Sequence, residues 1–199
     1  MMFNQQEIAT PSNWTISPRR SYLPKKNTFS PTRKLVYFAT LIAIVYTLKL
    51  LGNFLTFGPF RITLSYFGFF LSSIVLSPLG GALVTLVSDV LSQLLGGLSG
   101  LPNPLIALGN CGGTFLFGVV YFYLPCKNTS LRICIACLIF VVFATLGFNS
   151  LANYLLYFKG TNYLVYLLTQ RLVQVPIAFV NSALIICALP LFRKIKLIC

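Results

Sequence analysis

From residue 35 onward, charged residues cut the chain into long apolar windows: 62–88, 90–126, 133–158 and 172–192 carry no Asp, Glu, Lys or Arg. A helix needs about 20 residues to cross the hydrocarbon core of a bilayer. Turn signals subdivide these windows. They are Pro78-Leu79-Gly80-Gly81, the Gly- and Pro-rich run 96–104, Lys127-Asn128-Thr129-Ser130 and Lys159-Gly160-Thr161-Asn162. The pattern predicts an all-α membrane protein with six spans, at about 35–52, 62–77, 80–97, 104–124, 131–157 and 163–192. The second is short enough to be partly re-entrant.

Several predicted spans carry a polar stripe that lipid contact alone does not require. In the third, Thr85, Ser88, Asp89, Ser92, Gln93 and Gly96 recur at steps of three and four, which places them on one side of a helix. Asn103, Ala107, Asn110 and Thr114 do the same in the fourth, and Thr145, Asn149 and Asn153 in the fifth. Gln170, Arg171, Gln174 and Asn181 form a looser stripe in the sixth, with Pro176 a predicted kink. Such stripes serve either as interhelical glue or as the lining of a ligand site. Asp89 and Arg171 favour the second reading, because an intramembrane charge costs at least ~2.5 kcal/mol; they also suit a structural ion pair.

Composition narrows the function. The chain is 57% hydrophobic and only 9% charged, against about 25% charged in soluble domains, and its mean hydropathy is +0.85. Glu7 and Asp89 are the only acids and there is no His. Carboxylate-pair hydrolysis, His-based proton transfer and His or carboxylate metal sites therefore lack their residues, and no enzyme, metal or cofactor is expected. Cys134 and Cys137 form a CxxC without a second pair and read as apolar fillers.

The net charge of +13 is distributed as a topology signal rather than as a nucleic-acid face. Residues 1–34 form a polar segment with Arg19, Arg20, Lys25, Lys26, Arg33, Lys34 and four prolines. It reads as a flexible cytoplasmic tail suited to anionic lipid, ahead of a transmembrane domain at 35–199. It lacks the apolar core of a cleavable signal. With both termini inside, Lys127, Arg132, Arg193, Lys194 and Lys196 join the tail on the cytoplasmic side, and only Arg61 and Lys159 lie outside. Arg61, Lys159 and Arg171 at the outer mouth, with Asp89 below, suggest an anionic ligand carrying a polar heterocycle. The run 96–104 is a candidate gate over it.

The chain resembles the substrate-binding S components of energy-coupling factor (ECF) vitamin transporters, most closely the folate branch. The resemblance covers about residues 35–192 and rests on GPFRITLSYFGFF (58–70), SPLGGALVTLVSDVLSQLLGG (77–97), GFNSLANYLLY (147–157) and QRLVQVPI (170–177). The Arg-Ile at 61–62, the Asn-Ser at 149–150 and the Arg-x-x-Gln at 171–174 point to folate. The resemblance implies six helices in a bacterial cell membrane, capture of a vitamin from outside, and no ATPase of its own. It implies partnership with a transmembrane coupling protein and two cytoplasmic ATPases, docked through Ala39 and Ala43. By similarity Arg61 and Arg171 would hold anionic or carbonyl groups. Asp89 and Asn149 would hydrogen-bond the pterin edge, assisted by Gln174, with Ser150 also substrate-binding and Phe67, Phe148 or Tyr154 stacking. Two alternatives stay open: an S component for another vitamin such as riboflavin, and a structural or assembly membrane protein without a ligand.

Overall fold

A computed structural model describes residues 30–54, 56–57, 60–61, 63–95, 103–157, 162–172 and 174–194. The tail before residue 30, the run 96–102 and Lys159 lie outside the described residues. Helix α1 (Pro31–Phe54) leads through a two-stranded antiparallel turn, β1 (Thr56–Phe57) and β2 (Phe60–Arg61), into α2 (Ser65–Leu76). Then follow α3 (Pro78–Leu95), α4 (Pro104–Tyr123) and α5 (Thr129–Phe140). Helix α5 continues without a break as a π-helical segment (Val141–Asn149) and α6 (Ser150–Tyr157). After α7 (Tyr163–Tyr166) comes a second π-helical turn (Leu167–Arg171), and α8 (Gln174–Lys194) ends the described chain.

Among the described residues, five helical stretches are long and apolar enough to cross a membrane: Pro31–Gly52, Pro78–Leu95, Pro104–Tyr123, Thr129–Leu156 and Gln174–Phe192. Helix α2, in the predicted second span, falls short of that length. Helix α2 has 12 residues, about 18 Å at 1.5 Å per residue, against a hydrocarbon core of ~30 Å. It sits instead at the centre, packed against α1, α3, α4 and α8. Every residue from Ser65 to Val75 except Phe67 is buried. Around it Phe70 stacks on Phe117 at 4.3 Å between ring centres, and Phe140 meets Phe70 and Tyr66 edge-on at 5.0 and 5.1 Å.

Small residues bring the backbones together. A Cβ on Gly81 would stand 2.6 Å from the Ser73 Cα, and one on Gly118 would stand 2.7 Å from the Pro78 Cα. This is the close approach that substitutes for hydrophobic driving force inside lipid. Ser77, which alone joins α2 to α3, has φ 145°, and its hydroxyl accepts from Gly80 N at 3.3 Å. Large apolar side chains such as Leu83, Leu108, Val142 and Val180 point outward.

The sixth predicted span is also divided differently. Pro176 falls in the first turn of α8, where a missing N–H leaves no helical bond unmade. The interruption lies before it, between the second π turn and Gln174.

Candidate ligand site at one end of the bundle

The polar stripes converge where the end of α1, the end of α3, the start of α4 and the end of the first π segment meet. Asp89 is 1% exposed. One of its oxygens pairs with the Lys49 ammonium. The other accepts from Asn110 Nδ2 at 2.9 Å. Asn110 Oδ1 in turn accepts from Asn149 Nδ2 at 2.8 Å, and the Asn149 carbonyl accepts from Asn153 Nδ2 at 2.6 Å. Lys49 also donates to Ser92 Oγ at 3.2 Å and lies 5.6 Å from the centre of the Phe69 ring. Five elements are thus joined by one chain of polar contacts around a neutralised ion pair.

A second polar group lies where the start of α2, the start of α8 and the π segment meet. Gln174 Oε1 accepts from Thr63 Oγ1 at 3.2 Å and from Tyr66 OH at 3.5 Å. The Tyr66 hydroxyl also lies 3.3 Å from Thr145 Oγ1. Asn181 clips the entrance of α2 by accepting from Phe67 N at 3.1 Å and donating to the Thr63 carbonyl at 3.0 Å.

Two buried amide groups are left over. Asn103 Oδ1 caps α4 by accepting from Leu105 N at 3.0 Å, and its Nδ2 has no partner. Asn149 donates its Nδ2 to Asn110, and its Oδ1 has no partner. Both residues are 7% exposed. Buried amides without partners are costly, and here one unmet donor and one unmet acceptor lie at the same end of the bundle.

Of the residues singled out from sequence, Asp89 and Asn149 come together through Asn110, and Gln174 stands in the second group. Ser150 turns its hydroxyl to the Thr145 carbonyl at 2.7 Å, where it satisfies the π-helical backbone. Arg61 lies in β2 and Arg171 ends the second π turn; their side chains lie outside the described residues. The charge facing Asp89 is Lys49 rather than Arg171. Sequence reasoning placed Lys49 in a span without using it, although a lone ammonium in an apolar helix needs a buried partner as much as Asp89 does. Asn110 was visible in its stripe, but its place as the hub was not. Ala39 and Ala43 are exposed on α1, toward the opposite end from the polar network.

A separate groove of about 880 Å³ runs along the outer flank of α5 and the π segment. Its walls include Leu116, Leu138, Val142, Phe143 and Phe148. Among the described residues its lining carries no charged group.

The described family of ECF-type riboflavin transporter S components matches residues 29–197. A solved structure reported as the S component of a bacterial ECF transporter matches with a TM-score of 0.51 and 19% identity, over 84% of this chain and 97% of that one. At that identity the likeness is one of fold. Among curated proteins there is no match.

These findings correct the folate assignment. That assignment rested on three short segments and on an anionic ligand inferred from Arg61, Lys159 and Arg171, whereas the family match spans nearly the whole chain. The cation found among the polar stripes is already neutralised by Asp89, so the described network supplies no net positive charge to attract an anion. The protein is a multi-pass integral membrane transport component and not an enzyme. By its sequence from residue 29 to residue 197, it belongs to the S components of ECF-type riboflavin transporters.

Proposed function

We propose that this chain captures riboflavin at the polar end of the bundle for ATP-driven uptake. Riboflavin is uncharged. Its isoalloxazine ring is flat and apolar along one edge, and its other end presents an imide, an N–H between two carbonyls. Its ribityl chain adds hydroxyls. A site for it needs amide donors and acceptors, apolar and aromatic walls, and no net charge. The observation that carries the reading is the pair of unmet amide groups on Asn103 and Asn149 beside the neutralised Lys49–Asp89 pair.

The polar end faces outward in this reading, and both termini are cytoplasmic. What supports it is that Arg33 and Lys34, Arg132, and Arg193 and Lys194 all fall toward the opposite end of their helices, with Lys127 in the α4–α5 connection, as the positive-inside rule requires. Ala39 and Ala43 then present small residues four apart near the cytoplasmic end of α1. There a transmembrane coupling protein, carrying two ATPases, approaches closely.

Titrating the purified protein with riboflavin, read by quenching of flavin fluorescence, tests the proposal. Saturable one-to-one binding that folate does not compete is expected. Asn149→Leu should weaken it about tenfold to a hundredfold, the cost of stranding polar groups in a buried site. Absence of saturable riboflavin binding by the folded protein would refute it.

A further inference from the structure

We propose that Asp89 is a positioning residue that fixes the direction of the amide chain and thereby makes the site select ligands that present an N–H donor. The inference rests on the riboflavin reading and adds to it which atom of the ligand is read, and why. A side-chain amide has two nearly identical faces, a donor and an acceptor, and isolated asparagines present either. Here neither asparagine has that freedom. Paired with Lys49, Asp89 is a carboxylate and only accepts. Asn110 must therefore turn its Nδ2 toward Asp89 Oδ2, which leaves Oδ1 on its other side. Asn149 must then donate to that Oδ1, since a flipped Asn149 would set two amide oxygens 2.8 Å apart. The acceptor Asn149 Oδ1 is what remains at the end of the chain, buried and unmatched. It lies against Gly109 of α4, where even a Cβ would come within 3.0 Å of this oxygen. A charge on α1 and α3 thus sets the polarity of a hydrogen-bonding group on a different helix.

In riboflavin the matching group is the imide N3–H. The closing experiment compares riboflavin with N3-methylriboflavin, which keeps the ring, the carbonyls and the ribityl chain but lacks that donor. In the wild-type protein the methylated ligand should bind about tenfold to a hundredfold more weakly. Asn110→Leu removes the relay while leaving the Lys49–Asp89 pair in place. Asn149 is then free to flip and offer Nδ2 to a flanking carbonyl, so the ratio of the two affinities should fall toward one even as riboflavin itself binds less well. A general packing defect would weaken both ligands alike and leave the ratio unchanged. Equal affinity of the wild-type protein for both ligands overturns the inference and leaves the riboflavin reading standing. A preference that survives Asn110→Leu also overturns it, by showing that the relay does not set the polarity. If riboflavin itself fails to bind the wild-type protein, the proposed function falls and the inference with it.

Discussion

Replacing Lys49 by Met removes the cation that neutralises Asp89 while keeping a long apolar side chain of similar reach. Asp89, 1% exposed, would then hold its charge against only the Asn110 amide. Breaking a buried pair by deleting one partner costs about 3–5 kcal/mol, because the remaining charge stays desolvated. At about 2–4 °C per kcal/mol for a chain of this size, that is a fall of roughly 6–20 °C in the unfolding midpoint. Removing both charges with Lys49→Met and Asp89→Leu should recover most of that loss, since an apolar pair of similar volume replaces a buried ion pair at little cost. Riboflavin binding should not recover, because the amide chain has lost its anchor. Thermal unfolding of the detergent-solubilised single and double variants, followed by flavin titration, separates the two effects. A double variant as unstable as Lys49→Met, or a Lys49→Met protein as stable as the wild type, would refute the view that the pair is held by mutual neutralisation.

Two further outcomes follow from packing and exposure. Gly81→Ala should lower stability by about 1–3 kcal/mol, because its Cβ would meet the Ser73 backbone as well as the Ser73 hydroxyl; an unchanged unfolding midpoint would contradict the close α2–α3 contact. Ala39→Trp should leave riboflavin binding intact, since residue 39 is exposed and far from the polar network, yet abolish uptake by cells carrying the coupling protein and ATPases; normal uptake would remove this face from the docking surface.

The five long helices were legible because each is a long apolar stretch with few charges, set off by turn residues. The Asp89 face was legible because polar positions recur at helical spacing. What periodicity cannot give is which faces meet. It put Lys49 and Asp89 each inside a helix without showing that α1 and α3 pack side by side, and it offered an Asp89–Arg171 ion pair as one alternative. The fifth stripe was read at α-helical spacing, but Val141–Asn149 is π-helical, with wider turns than that spacing assumes. Thr145 and Asn149 consequently join different polar groups, Thr145 beside Tyr66 and Asn149 beside Asn110. The vitamin was misread for a related reason. Charges counted along the chain were treated as charges in the pocket, whereas the described network is built from amides around an ion pair of zero net charge.

The shortness of α2 has a consequence for biogenesis. A segment of 12 residues, three of them serine, is too short to leave the translocon for lipid as an independent span. It has to wait for company. Helices α1 and α3 offer it apolar walls on either side, α4 closes against it, and α8 arrives last to satisfy the Phe67 amide through Asn181. The step that places α2 in the bilayer is therefore tertiary assembly rather than insertion. A nascent chain stalled before α8 emerges would hold its central helix among partners, with its entrance still unclipped.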